Sequence, residues 1–252
     1  MKKNTKEKSD RLRFWLRALW SGEKCAVCGK RTTRGQDVIC PACAARFASA
    51  RTAYCFECGS RMTECRCVPP QLREAGVELL VKLAAYEPSK TDNVVSRIVF
   101  RLKDRRDTML SEEVARHLAA RLKETARMRE EAPENCVVTY IPRGAGKKRE
   151  KGTDQARLLA ASIAAQSGIR AVSAVVRTRQ GRPQKTLTFE ERAENVRGMF
   201  RAEGGEVRGK TVFLVDDVVT SGATMTDAAR GLLSAIVART VIGVCVARTP
   251  LR

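Results

Sequence analysis

The sequence predicts an α/β protein, a parallel sheet flanked by helices, with a small metal-built module ahead of it. Three observations carry that expectation. Strand and helix signatures alternate after residue 69, eight cysteines crowd between Cys25 and Cys67, and the run VFLVDDVVTSGATM (212–225) passes from a strand through two acids and a small-residue turn into a helix.

The elements follow in order. In residues 1–22, Leu12, Leu16, Leu19 and Trp20 fall on one side of a basic helix. Arg11, Arg13 and Arg17 interrupt the apolar stretch that a signal peptide needs. Residues 23–68 hold the cysteine module, and VPPQ (68–71) ends it. Residues 69–252 then read as VELLVKLAAY (77–86), a strand, and TMLSEEVARHLAARLKETARM (108–128), a helix with Leu110, Val114, Leu118 and Leu122 on one face. CVVTYI (136–141) is a strand, DQARLLAASIAAQ (154–166) a helix and AVSAVV (171–176) a strand. TVFLVDD (211–217) is a strand, TMTDAARGLLSAI (224–236) a helix and TVIGVCVA (240–247) a strand. Such alternation implies parallel strands joined by crossover helices.

Forty-eight Lys and Arg against 28 Asp and Glu leave a net charge of +20, which favours polyanionic partners: nucleic acid, nucleotides or phosphorylated sugars. No apolar run approaches the ~20 residues of a membrane span. A cytoplasmic location follows, with the ten cysteines reduced rather than paired in disulfides.

The pairs CAVC, CPAC and CFEC, and the tighter CRC, supply thiolates at spacings that let one tight turn grip a tetrahedral ion. Gly29 and Gly59 follow their pairs, where the turn calls for positive φ. The stretch has too few large apolar side chains to hold itself together by burial. Zinc ligation, worth roughly 10–16 kcal/mol in small zinc-binding peptides, supplies the missing stability. Two structural zinc ions are expected, one on Cys25, Cys28, Cys40 and Cys43 and one on Cys55, Cys58, Cys65 and Cys67. An interleaved cross-brace and an iron–sulfur cluster are the alternatives. Cys136 and Cys245, isolated in apolar runs, read as core residues, and His117, the only histidine, as a packing residue of its helix.

Ligands of a parallel sheet sit at the carboxyl ends of its strands. Two basic loops leave those ends, PRGAGKKREKG (142–152) and the 177–198 segment, on the side that carries Asp216 and Asp217. The turn TSGAT (220–224) at a helix N-terminus suits an anion, through backbone N–H groups and the hydroxyls of Thr220, Ser221 and Thr224. Adjacent carboxylates suit two neighbouring hydroxyls. A ribose 5-phosphate offers both features, and the basic loops suit a magnesium pyrophosphate. An ATPase reading fails, because GAGKK (144–148) lacks the spacing and the Ser or Thr of a P-loop.

VFLVDDVVTSGATM resembles the phosphoribosyl pyrophosphate (PRPP) motif of type I phosphoribosyltransferases. The resemblance narrows with AAYEPSKTDNVVSRIVFRLKDRRD, REKGTDQARLLAASIA and RTRQGRPQKTLTFEERAENVRGMF, which together with the preceding cysteine ribbons are similar to the ComF family of late-competence proteins. It implies a type I phosphoribosyltransferase-like sheet behind a double zinc ribbon. It further implies that Asp216 and Asp217 hold the ribose hydroxyls, and that Thr220, Ser221, Gly222, Ala223 and Thr224 hold the 5-phosphate. Pro142, Arg143, Lys147, Arg149 and Lys151 would form the pyrophosphate loop, and Arg177, Arg179, Gln184 and Arg192 belong to a mobile flap. Thr153 and Asp154 depart from the aromatic and the amide that the family carries there. The implied cofactors are two structural zinc ions, and magnesium with PRPP. The implied role is DNA uptake in natural transformation, through single-stranded DNA or a competence helicase. Transfer of phosphoribose to a base or amine, and PRPP sensing without turnover, are the alternatives.

Overall fold

The structure, a computed structural model, describes residues 24–32, 38–87, 89–90, 92–103, 108–143, 154–179, 191, 195–234 and 238–250. The basic helix expected over 1–22 lies outside them.

Helix α1 (Pro41–Thr52) starts on a proline that needs no N–H partner. It converts the CPAC pair from a free turn into a helix start, with Cys40 at the N-cap and Cys43 in the first turn. Pro70 likewise opens the short α2 (Pro70–Glu74), so VPPQ is a helix start and not a loose connection. Strand β1 (Val77–Ala85) follows, then α3 (Val94–Leu102), α4 (Thr108–Met128), β2 (Cys136–Tyr140) and α5 (Gln155–Ser167). Helix α3 is absent from the expected elements, although its signal is local. The Asn93 side chain accepts from the Val95 N–H at 2.8 Å, ahead of apolar residues at 94, 95, 98, 99 and 102.

AVSAVV is not one strand. Arg170–Ala171 forms β3, the edge of the main sheet, and Val175–Arg177 forms β4, which leaves to pair antiparallel with β5 (Phe200–Ala202). Thr139 pulls the chain over between them, its hydroxyl accepting from the Ala174 N–H at 3.2 Å. Strand β6 (Thr211–Val219), helix α6 (Ala223–Leu233) and strand β7 (Thr240–Arg248) complete the chain.

The main sheet has the order β1-β7-β6-β2-β3, with every pairing parallel. Its interior strand β7 is buried throughout, as a sheet covered on both faces requires. Alternation along β6 splits the core in two. Phe213 and Val215 face the layer built by α3, α4 and α5, while Val212 and Leu214 face α2, α6 and the β4–β5 pair.

The first cysteine cluster is part of the larger layer, where Cys25, Val27, Ile39, Cys43 and Phe47 pack with α3 and α4. Burial therefore helps to hold this module together. His117 meets Phe47 edge to face at 5.7 Å, a packing contact, and Cys136 and Cys245 are core residues. Among the described residues no helix is long and apolar enough to cross a membrane.

Candidate phosphoribosyl site and cysteine clusters

Strand β6 delivers Asp216 and Asp217, both partly exposed, to the carboxyl edge of the sheet. Local backbone orients both: the Asp217 N–H donates to Asp216 Oδ1 and the Val218 N–H to Asp217 Oδ1, each at 2.8 Å. Burial pushes the Asp216 carboxyl well above its ordinary range, and the neighbouring Asp217 charge pushes the same way. A group in such a place is poised to accept hydroxyl donors that stabilise its charge.

The turn after β6 comes next. Gly222, at the N-cap of α6, has φ +81°, a left-handed conformation that side chains resist. A Cβ there would meet Leu72 of α2 in ordinary contact, at 3.4 Å, so the backbone conformation and not space calls for glycine. No side chain caps α6; the Thr226 N–H goes to the Gly222 carbonyl at 2.8 Å, and the Ala223 N–H reaches Ser221 Oγ only at 3.4 Å. Thr220, Ser221, Gly222, Ala223 and Thr224 thus surround a helix start whose main-chain amides and positive dipole end can take an anion.

The loop after β2 is brought to the same place. Arg143 Nη2 donates to Asp217 Oδ2 at 3.1 Å, with both side chains about four-fifths buried. The Arg143 N–H donates in turn to Asp154 Oδ2 at 2.9 Å. Asp154 therefore fixes the first residues of the loop, a role that its place in the sequence does not announce. Its other oxygen and Gln155 Oε1 are buried without a hydrogen bond. Pro142 precedes Arg143, and Lys147, Arg149 and Lys151 lie outside the described residues.

On the opposite layer, Arg177 and Arg179 bond within their own segment: Arg177 Nε to the Arg179 carbonyl at 3.1 Å, and Arg179 Nη2 to the Arg197 carbonyl at 2.7 Å. Gln184 and Arg192 lie outside the described residues. Asp227 is a further residue that sequence patterns miss. This buried residue of α6 accepts from the N–H groups of Gly198, Met199 and Phe200 at 2.6, 2.8 and 2.9 Å. It ties the foot of the 177–198 segment to the helix that starts at the anion turn. An acid in TMTDAAR gives no local sign of such partners.

The eight cysteines form two sequential groups: Cys25, Cys28, Cys40 and Cys43, then Cys55, Cys58, Cys65 and Cys67. Within each group all four sulfurs lie within 4.8 Å of one another. The interleaved cross-brace is excluded. Sγ separations of 3.8 Å (Cys28–Cys40), 3.6 Å (Cys55–Cys67) and 3.5 Å (Cys58–Cys65) lie near the roughly 3.8 Å edge of a tetrahedron with ~2.3 Å zinc–sulfur bonds, and the tight CRC pair, Cys65–Cys67, is closer at 3.2 Å. Gly29 and Gly59 take φ of +73° and +70° behind their pairs, each N–H closing back on the first cysteine carbonyl at 2.9 Å. Four thiolates in that geometry can hold a zinc ion and leave no position for a substrate.

A phosphoribosyl transferase domain matches residues 150–251, the part of the chain that carries β6, the anion turn and β7. Curated proteins similar over most of the chain include three named DNA utilization protein YhgH. That of Escherichia coli O6:H1 (strain CFT073) is 29% identical over 219 residues, covering 83% of this chain and 90% of that protein. That of Escherichia coli (strain K12) is 28% identical over 211 residues, covering 83% of each chain. That of Shigella flexneri is likewise 28% identical over 211 residues, with the same coverage. A phosphoribosyl transferase domain behind two four-cysteine clusters is the arrangement that the ordered motifs pointed to.

Proposed function

We propose that the carboxyl edge of the sheet binds PRPP with magnesium, and that the chain serves DNA uptake as a ligand-binding module that contacts single-stranded DNA. The observation that carries the first part is the convergence at Asp217. Two acids stand near the end of β6, a left-handed glycine at 222 starts the next helix, and Arg143 arrives from the loop after the adjacent strand.

The ligand fits these residues end to end. Asp216 and Asp217 accept the two ribose hydroxyls, and residues 220–224 hold the 5-phosphate on main-chain amides. Pyrophosphate competes with Asp217 for the Arg143 guanidinium, whose planar fork suits phosphate oxygens as well as a carboxylate. Magnesium, when bound, neutralises pyrophosphate charge at this acidic edge. The residues account for binding; transfer to an acceptor is a further step that they do not require.

The DNA part rests on two supports. The relatives bear the name DNA utilization protein, and the second cysteine module presents Tyr54, 68% exposed, with the Arg61 guanidinium 5.4 Å from its ring centre. An exposed ring beside an arginine is a stacking platform for an unpaired base. Phe47, by contrast, is buried in the core, and Phe14 and Trp15 lie outside the described residues. We also take the two cysteine clusters to hold structural zinc, and the module to end near residue 68.

Titration calorimetry with PRPP and magnesium tests the site. Binding is expected for the unaltered chain and none for Asp216→Asn combined with Asp217→Asn. Equal affinity in the two proteins would reject the assignment. Pyrophosphate release in the presence of candidate bases separates a transferase from a binding module.

A further inference from the structure

Strand β1 forms an edge of the sheet, yet at its centre Lys82 is fully buried. A buried ammonium without a partner is strongly unfavourable, so its surroundings must answer its charge. They do so with sulfur. Lys82 Nζ lies 3.4 Å from Cys67 Sγ and donates to the Cys67 carbonyl at 3.2 Å.

Two further cations surround the same cluster. Arg248, fully buried at the end of β7, pairs with Glu57 between Cys55 and Cys58 and lies 5.5 Å from the centre of the Phe56 ring. From α4, Arg121 donates to the carbonyls of Met62 at 2.8 Å and Cys65 at 3.5 Å. Glu57 Oε2, paired with Arg248, also lies 3.2 Å from Cys67 Sγ, so Lys82 faces the Cys67 sulfur beside that carboxylate and answers a cluster of negative charge.

The first cluster is seated differently, among Val27, Ile39 and Phe47 of the hydrophobic core. Among the described residues the second has only Met62, Ala85 and its own cysteines as apolar company. A zinc ion with four thiolates carries two negative charges, and charge can hold it where burial does not.

We propose that Lys82 is an outer-sphere positioning residue of the second metal site, donating N–H to the Cys67 thiolate and, with Arg248 and Arg121, seating the metal cluster on the edge of the sheet. The proposal rests on the zinc reading given above and extends it to a residue outside the cysteine motifs. Outer-sphere partners of metal ligands are worth about 10–100-fold in metal affinity.

The test follows zinc release from the full chain into a chromogenic chelator, and the absorption of the cobalt-loaded protein. The unaltered protein is expected to hold two zinc ions. Lys82→Met should release one of them about 10–100-fold faster and leave the other unchanged. It should also shift part of the thiolate-to-cobalt charge-transfer band to lower energy, since a thiolate without its N–H donor gives up charge more readily. Should Lys82→Met fail to fold, Lys82→Gln, which keeps a donor and removes the charge, is measured in the same way. Unmoved rates and an unmoved band overturn the role of Lys82 alone, as does equal acceleration at both sites. A single zinc ion in the unaltered protein that Cys55→Ser with Cys58→Ser leaves bound overturns the metal reading of the second cluster itself.

Discussion

Asp216 is held where water serves its charge poorly. Its folded-state pKa lies above the ordinary value of 3.8, chiefly from burial and then from Asp217. The folded protein therefore binds a proton more tightly there than the unfolded chain does. Stability from this group is present at low pH and is lost as pH rises from 3.8 through the raised folded value. Asp216→Asn removes the penalty of ionisation. In the absence of ligand its thermal midpoint at pH 7 should exceed that of the unaltered protein, and the gap should shrink as pH falls towards 4. A lower midpoint at pH 7, by calorimetry, would show that the carboxylate is stabilised in place. On the proposed reading the same substitution should weaken PRPP binding, the usual trade between stability and function at a polar site.

At the scale of elements, α6 joins two parts of the site. Its first turn closes the anion loop, and one turn further on Asp227 receives three N–H groups from residues 198–200. Hydrogen bonds to a buried carboxylate are among the stronger ones, and their loss leaves three donors unsatisfied. Asp227→Ala should cost about 3–5 kcal/mol in urea unfolding. A loss below ~1 kcal/mol would mean that the β4–β5 pair holds its place without the clamp. Helix α2 contributes from the other side, with buried Leu72 set against Gly222. The chain entering the sheet thereby supports the turn that follows β6.

For the molecule as a whole, the cysteine modules and the sheet share surfaces. The first cluster enters the larger core layer, while the second meets β1, β7 and α4 through charged side chains. This leaves the Tyr54 side of the second module outward, on a chain with a net charge of +20. Single-stranded DNA should bind with affinity that falls steeply as salt rises. Tyr54→Ala with Arg61→Ala should weaken it about 10-fold or more, given ~1–3 kcal/mol for each stacked base. Gel-shift titration reads both effects, and an unchanged affinity would place the DNA contact elsewhere.

Much of this was legible in the residues. Cysteine pairs and their trailing glycines, the four-residue apolar spacing of α4, and the acids and glycine turn of 212–225 are local patterns whose physics acts within a few positions. The split of AVSAVV was not legible, because Thr139, 35 residues away, decides where the strand leaves the sheet. Nor were the roles of Asp154, Asp227 and Lys82, whose partners lie 11, 29 and 15 residues away. The sequence by itself determined most of the elements, the sequential cysteine groups to be expected and the placing of two acids before a glycine turn, since covalent spacing sets those. Only the tertiary structure decided which buried charges meet, because desolvation makes each of them depend on a partner that folding alone brings near.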